Sequence, residues 1–370
     1  MPQISGPTRA YRVVQIHPLL KCNLRCLHCY SESSPTQSPS LRVDRLCDAL
    51  DVLQREGFNG VGLSGGEPLL YADLPRLLAH VRGLGMLATV TTNAMLIDDA
   101  RAAMLRELTD LVAISVDGGR ESHNRLRGHP RAFEMMRDGV ARLRRAGVPF
   151  GFIFTLTFEN LDELRSVAEF AVAEGATLLQ VHPLEEVGRA TAALRGAAPD
   201  ALELARAFVE VARLQEEYSG RLVIQYDVAD VDVLAAHPER GYALEPGEAC
   251  SIVAADKAPL ADLIAPIVIE ADGAIVPLQY NFARAFQIAD LRAGRLDAQF
   301  DTWKAARFEA FLALCRATYQ RLVGDGSPQY PFVNWYGEVL AAGHAASKAG
   351  SAFGVRRSGV LRSGVLVLGS

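Results

Sequence analysis

The sequence predicts an α/β fold: a parallel sheet wound as a barrel, followed by a small α+β region. Apolar stretches of strand length alternate with amphipathic stretches of helical length through the first half of the 370 residues. Gly57, Gly85, Gly147 and Gly175 each follow a predicted helix, where a left-handed cap residue is typical. This regular alternation favours a parallel barrel over an isolated motif loop on a smaller fold.

Six strands are expected, near residues 12–20, 60–64, 86–92, 111–116, 149–157 and 177–182. Five helices separate them, near residues 41–56, 71–84, 98–108, 131–146 and 161–174. In a parallel barrel the carboxyl ends of the strands meet at one mouth, where active sites collect. Polar motifs that follow these strands are therefore expected to converge on one site.

The alternation changes beyond Glu185. An Ala-rich helix is expected over 190–215, a strand over 221–226 and a boundary loop over 238–247. Residues 265–277 read as a hairpin, because two apolar runs flank an Asp-Gly turn. We therefore expect a core barrel at 1–235, an α+β extension at 240–340 and a flexible or loosely docked tail at 345–370.

Composition excludes several classes of function. Hydrophobic residues make up 49% of the chain, enough for a substantial core, and 38 basic against 43 acidic residues disfavour nucleic acid as a partner. No apolar run approaches the roughly 18 residues of a membrane span, and residues 1–10 lack the apolar stretch of a signal peptide. A cytoplasmic protein is expected, and six cysteines, three of them clustered, fit a metal site in a reducing compartment.

The three clustered cysteines, Cys22, Cys26 and Cys29, have the spacing CxxxCxxC directly after the first predicted strand. Three soft thiolates on one loop can bind three corners of a [4Fe-4S] cluster and leave the fourth iron free for a reacting molecule. The alternatives are a zinc knuckle or three unrelated buried thiols. A structural zinc ion needs a fourth ligand, and His28 lies where it cannot easily complete a tetrahedron.

Further motifs follow in a fixed order: Val61–Pro68 with the sequence VGLSGGEP, then Thr91–Asn93, then Ile114–Gly118 with ISVDG. Together with the cysteines, they resemble the radical S-adenosylmethionine (SAM) superfamily over about residues 11–130, and the strand–helix alternation extends the likeness to about residue 185. The resemblance implies a partial (β/α)6 TIM-type barrel, open on one side. It also implies one [4Fe-4S] cluster and SAM bound at its open iron.

The resemblance assigns the segment after the second strand to the methionyl amine of SAM, and His28 to the place of an aromatic residue beside adenine. Ser115 and Asp117 alternate along the fourth strand, so they share a face that ribose or the SAM carboxylate would contact. Arg127 follows twelve residues after Ser115 and suits a carboxylate, as in sulfatase-maturating enzymes of the superfamily. The expected SAM contacts are His28, Gly65, Gly66, Glu67, Pro68, Thr92, Asn93, Ser115, Asp117 and Arg127.

The C-terminal hairpin resembles the SPASM or twitch extension of radical SAM enzymes that modify peptides. That extension usually carries Pro-Cys after the hairpin and further cysteines for auxiliary clusters. Here the dipeptide is Pro277-Leu278, and only Cys250 and Cys315 remain in the region. We therefore expect a degenerate extension without an auxiliary cluster, in which both cysteines are buried as small apolar residues, although one thiol could instead donate a hydrogen atom.

The expected function is reductive cleavage of SAM and abstraction of hydrogen from a substrate, foremost a ribosomally made peptide. A small molecule in natural-product or cofactor biosynthesis is the alternative substrate, and an iron-sulfur redox sensor is the non-enzymatic alternative. An external electron donor such as flavodoxin or ferredoxin is expected as a partner, whereas nucleic acid and membrane are not.

Overall fold

A computed structural model describes residues 11–243, 257–324 and 331–352. Seven parallel strands lie side by side in the order of the sequence: the six expected before residue 185 and the one expected over 221–226. They are β1 (Val13–Ile16), β2 (Gly60–Leu63), β3 (Leu87–Thr92), β4 (Leu111–Val116), β5 (Phe150–Leu156), β6 (Leu178–Pro183) and β7 (Val223–Tyr226). Among the described strands β7 pairs only with β6, so the parallel sheet is an open, partial TIM-type barrel, as predicted.

The helices between the strands pack against one face of the sheet. In β4, for example, Val112, Ile114 and Val116 are buried beneath the helices, whereas the alternate residues are partly exposed on the inner face. The helices are α1 (Val43–Arg55), α2 (Leu74–Gly83), α3 (Asp99–Leu108), α4 (Arg120–Arg127), α5 (Ala132–Ala146), α6 (Leu164–Glu174), α7 (Ala190–Ala193) and α8 (Ala201–Glu217).

The predicted helix bounds agree with the structure up to residue 174, and the four glycines expected after helices all have positive φ. The prediction was wrong for 190–215, where the structure has two helices. Gly196 adopts a left-handed conformation with φ +75, and Pro199 precedes Asp200, which caps α8 through a capping box. These residues end one helix and start the next.

The C-terminal region extends the same sheet. β9 (Ile267–Ile269) and β10 (Ala274–Pro277) form the predicted hairpin, and β11 (Ala289–Asp290) pairs with β10. β9 also pairs in parallel with β1, with Val14 opposite Ile267, so all ten strands belong to one sheet. The hairpin is therefore hydrogen-bonded to the barrel and not merely packed against it.

The described part of the C-terminal region also contains five helices and a two-stranded ribbon: β8 (Ala229–Asp230), α9 (Val231–Ala236), α10 (Leu260–Leu263), α11 (Leu296–Ala306), α12 (Phe308–Val323), β12 (Phe332–Val333) and α13 (Trp335–Ala352). Glu56, just after α1, accepts a hydrogen bond from the Leu260 amide at 2.6 Å and one from the buried Lys304 ammonium at 2.8 Å. His17, after β1, stacks on Tyr280 with ring centroids 4.6 Å apart. These contacts fasten the region to the barrel.

Cys315 is fully buried in α12, as expected of a small apolar residue, and burial raises the pKa of its thiol. Cys250 and residues 353–370 lie outside the described residues, whereas residues 345–352, expected to belong to a flexible tail, are the last two turns of α13. No helix in the described ranges is long and apolar enough to cross a membrane.

Candidate functional site

The three clustered cysteines lie on the connection between β1 and α1, at the carboxyl end of the parallel strands. Cys22 and Cys26 are buried and Cys29 is partly exposed. Burial raises the pKa of Cys22 to about 12 and also raises that of Cys26. A metal that binds these sulfurs must therefore displace their protons.

Each of the three sulfurs has a hydrogen-bonding neighbour. The Leu24 amide donates to Cys22 Sγ at 3.4 Å, the Ser31 hydroxyl lies 3.5 Å from Cys29 Sγ, and Arg127 Nη1 lies 3.9 Å from Cys26 Sγ. Such contacts to sulfur are a common feature of iron-sulfur sites, where they stabilise the thiolates and tune the cluster.

The three thiols fit a cluster better than they fit a single ion. Among the described residues no three His, Cys, Asp or Glu side chains converge on one metal-ion position. Thiolates that bind three different irons of a cubane do not need to share one position. The fit to a cubane with three protein ligands rests on the donor set, three soft thiols on one connection.

Gly65 and Gly66, after β2, pack against the backbone that leads into the cysteines. The Gly66 amide donates to the Leu19 carbonyl and the Glu67 amide to the Lys21 carbonyl, both at 2.9 Å. A Cβ at Gly66 would lie 2.1 Å from the Lys21 carbonyl oxygen, and Gly65 has φ +103. The glycines are thus needed for the close approach of two segments of this chain.

Glu67 is buried, and its carboxylate links the β2 connection to the end of β3. It accepts hydrogen bonds from Thr92 Oγ1 at 2.7 Å, the Asn93 amide at 3.0 Å and the Leu69 amide at 3.1 Å. Burial raises the pKa of Glu67, although these donors oppose the shift. Pro68 begins a short 3-10 turn, Pro68–Leu70.

Asn93 connects the end of β3 to the cysteine connection. Its Nδ2 donates to Asn23 Oδ1 at 2.8 Å, and its own Oδ1 accepts from the Met95 amide at 3.1 Å. Thr92, Asn93 and Glu67 therefore form one buried network beside Cys22, and the structure brings these predicted residues together.

Asp117 and Arg127 form a buried ion pair. Arg127 Nε lies 2.6 Å from Asp117 Oδ2, and Nη2 donates to Oδ1 at 3.1 Å. Burial alone would raise the pKa of Asp117, but the Arg127 and His28 side chains hold it below the ordinary value. The guanidinium fork expected to face a SAM carboxylate thus faces a carboxylate of this chain.

His28 lies beside this ion pair, with Nε2 3.8 Å from Asp117 Oδ2, and burial lowers its pKa to about 4. The imidazole is therefore neutral at pH 7. The sequence predicted that Ser115 and Asp117 share one face of the strand. In the structure Ser115 is partly exposed on the inner face of β4, whereas Asp117 is fully buried beyond the end of that strand.

Arg189 was not identified from the sequence, although it contacts the cysteine connection directly. Its Nη1 donates to the Cys26 carbonyl at 2.5 Å, its Nη2 to the Ser33 carbonyl at 2.7 Å and its amide to the Cys29 carbonyl at 3.1 Å. Gly188, with φ +57, lets the β6 connection pass close to the Tyr30 carbonyl. The Gly-Arg pair after the sixth strand was the available sequence signal.

Comparison with known proteins identifies the architecture. The radical SAM superfamily matches residues 16–171. The chain is 31% identical to Fe-coproporphyrin III synthase of Methanosarcina barkeri over 171 residues, which are 46% of this chain and 43% of that protein. It is 27% identical to the sporulation killing factor maturation protein SkfB of Bacillus subtilis, over 55% of this chain and 49% of SkfB. The aligned segments thus span about half the length of these relatives.

Solved structures extend the likeness of fold into the C-terminal region. The anSMEcpe structure with bound AdoMet and a Cp18Cys peptide superposes with a TM-score of 0.60 at 18% identity, over 92% of this chain and 98% of that one. At this identity the likeness shows the fold alone. The matched domain, the order of the motifs and the open parallel barrel agree, and together they identify a radical SAM domain at residues 16–171.

Proposed function

We propose that this chain binds one [4Fe-4S] cluster through Cys22, Cys26 and Cys29 and cleaves SAM reductively to abstract hydrogen from a substrate. The observation that carries the proposal is the cysteine connection itself, on which each of three thiols has its own hydrogen-bonding neighbour. When bound, the cluster and SAM supply the one-electron chemistry that generates the hydrogen-abstracting radical. The role of the chain is to hold both groups and to exclude competing reactions.

The residues expected to contact SAM divide into two groups. Ser115, the second side-chain N–H of Asn93 and the backbone carbonyls of Gly65 and Gly66 are proposed to contact SAM directly. Glu67 and Asp117 already bind groups of this chain, so we assign them to positioning: Glu67 fixes Thr92 and Asn93, and Asp117 fixes Arg127. His28 supports the same ion pair, and Pro68 shapes the turn after Glu67.

A ribosomally made peptide is the proposed substrate class. The hairpin β9–β10 resembles the extension of peptide-modifying enzymes, and SkfB is among the relatives. A small molecule such as a tetrapyrrole is the second candidate, because the relatives also include Fe-coproporphyrin III synthase. A flavodoxin or ferredoxin is the proposed source of electrons in both cases.

Anaerobic reconstitution followed by addition of SAM and a reductant tests the proposal. We expect 5'-deoxyadenosine from the unmodified chain and none from the Cys22→Ala, Cys26→Ala or Cys29→Ala variants. A protein that binds iron through these cysteines but never cleaves SAM would instead be a redox sensor.

A further inference from the structure

Polar side chains lie on the inner face of the sheet at Ser115 and again on β6 and β7, with the apolar Ile153 between them. Ser115 is in register with Ile153, Ile153 with Gln180, and Gln180 with Gln225. His182 lies on the same face two residues beyond Gln180, because alternate residues of a strand share a face. Gln180 and His182 thus lie two strands from Ser115 on the same inner face as the proposed SAM site.

His182 forms a pair with Asp227, the residue directly after β7. His182 Nδ1 lies 3.1 Å from Asp227 Oδ2, and Gln180 Nε2 donates to the same oxygen at 2.5 Å. About a third of each of the His182 and Asp227 side chains is exposed, 36% and 30%. The pair is thus recessed but accessible to a molecule in the open barrel.

Glu185 adds a second carboxylate, contacted by the C-terminal region. Its Oε1 accepts hydrogen bonds from Gln279 Nε2 and from Asn334 Nδ2, both at 2.8 Å. Gln279 follows the hairpin strand β10, and Asn334 precedes α13. The Oε1 atom of Gln279 is buried and has no hydrogen-bond partner. A buried acceptor without a donor is costly, so a donor from a bound molecule would stabilise it.

In the described ranges the two carboxylates have no lysine or arginine partner, and His182 is the titratable group that contacts Asp227. Within the described ranges Asp227 pairs with a histidine and a glutamine, and Glu185 with two amides, whereas neither pairs with lysine or arginine. Burial alone would lower the pKa of His182, but the Asp227 hydrogen bond and the charges of Asp227 and Glu185 raise it. Both carboxylates therefore act on His182.

We propose that Glu185, Asp227, His182 and Gln279 form the substrate subsite, and that it takes a protonated amine or guanidinium group in preference to a carboxylate. This inference rests on the proposed function, since it places the substrate beside bound SAM. Carboxylates and free acceptor oxygens provide the hydrogen bonds that a cationic donor needs. The subsite favours a peptide with a basic group and disfavours a tetrapyrrole that carries propionate groups.

Equilibrium dialysis of the reconstituted protein with bound SAM tests the preference. The probes are acetyl-Gly-Lys-Gly-amide, its norleucine and glutamate counterparts, and coproporphyrin III, all at one ionic strength and quantified by mass spectrometry. We expect the lysine peptide to bind about tenfold more tightly than the norleucine peptide, because a charge-assisted hydrogen bond is gained. The glutamate peptide and coproporphyrin III should bind more weakly still.

Two variants and one matched control locate the effect. Glu185→Gln and Asp227→Asn should each bring the lysine peptide to within about twofold of the norleucine peptide. Glu186→Gln is the matched control. It removes the same charge at the next residue, whose carboxylate accepts a hydrogen bond from the Gly196 amide, and it should keep the preference for the lysine peptide. Iron content of each variant checks that it folds.

Equal binding of the lysine and glutamate peptides, tight binding of coproporphyrin III, or no detectable binding of any probe would overturn the inference. The inference would also be overturned if Glu185→Gln and Glu186→Gln had the same effect on the preference for the lysine peptide. Formation of 5'-deoxyadenosine in the same preparation tests the proposed function separately. A protein that cleaves SAM but shows no preference for the cationic probe refutes only the subsite.

Discussion

Replacement of Arg189 by Gln is expected to loosen the connection that carries the cysteines. Arg189 donates to the Cys26 and Ser33 carbonyls at 2.5 and 2.7 Å. Hydrogen bonds from a charged donor contribute about 1.5–3 kcal/mol each. Arg189 is only partly buried, so water can replace part of the lost hydrogen bonding. We therefore use the low end of the range, about 1.5 kcal/mol for each bond and about 3 kcal/mol for the two bonds together.

We call the connection open when the segment that carries the cysteines has left its place in the folded structure. A loss of about 3 kcal/mol raises the population of this open state by roughly a hundredfold. If iron leaves through that open state, the rate of iron loss to a chelator should rise by up to the same factor. The assay follows the iron–chelator complex by absorbance under anaerobic conditions. Arg195→Gln is the matched control, because Arg195 is exposed on the same connection after β6.

Arg189→Lys should give an intermediate rate, since an ammonium cannot reproduce the two-pronged contact with separate carbonyls. Equal rates of iron loss for Arg189→Gln and Arg195→Gln would contradict this prediction. They would mean that the contacts of Arg189 do not stabilise the site.

Three further predictions follow from the packing. Gly66→Ala should prevent iron binding, because its Cβ would lie 2.1 Å from the Lys21 carbonyl oxygen, whereas Gly83→Ala, with open space around it, should bind iron normally. Burial lowers the pKa of His17 to about 3, so the unfolded chain alone takes up this proton as the pH falls. The free energy of unfolding should therefore fall by about 2 kcal/mol more between pH 7 and 5 than in His17→Gln, as measured by urea unfolding; equal slopes would contradict this. Deletion from residue 257 onward should give an insoluble barrel, since β1 loses β9; a soluble monomer that binds iron would contradict this.

The sequence was sufficient to predict the part of the fold that depends on local patterns. Most strand and helix bounds up to residue 174 followed from hydrophobic periodicity and from glycines at helix ends, although the first strand, predicted over 12–20, ends at Ile16. The helix α4 was missed because Arg120–Arg127 has little apolar character and begins without a side-chain cap. The pairing of β9 with β1 joins segments about 250 residues apart, and no local pattern indicates it.

In the site, too, local motifs could be predicted from the sequence, whereas contacts between distant segments could not. The cysteine spacing and the Gly-Gly-Glu-Pro segment are short motifs, so the residues around Cys22 could be named from the sequence. The contact of Arg189 with Cys26 spans 163 residues and leaves no periodic signal. The Asp117–Arg127 pair could not be foreseen either, because motif spacing does not reveal which carboxylate a guanidinium will meet in the folded chain.

We propose that three cysteines hold a cubane whose fourth iron is open to SAM. Electron paramagnetic resonance of the reconstituted, dithionite-reduced protein, with iron quantified in the same sample, tests this proposal. We expect about four irons per chain, the content of one cubane, and a reduced-cluster signal whose g values change when SAM is added. A signal that SAM leaves unchanged, in a protein with full iron content, would contradict the proposal.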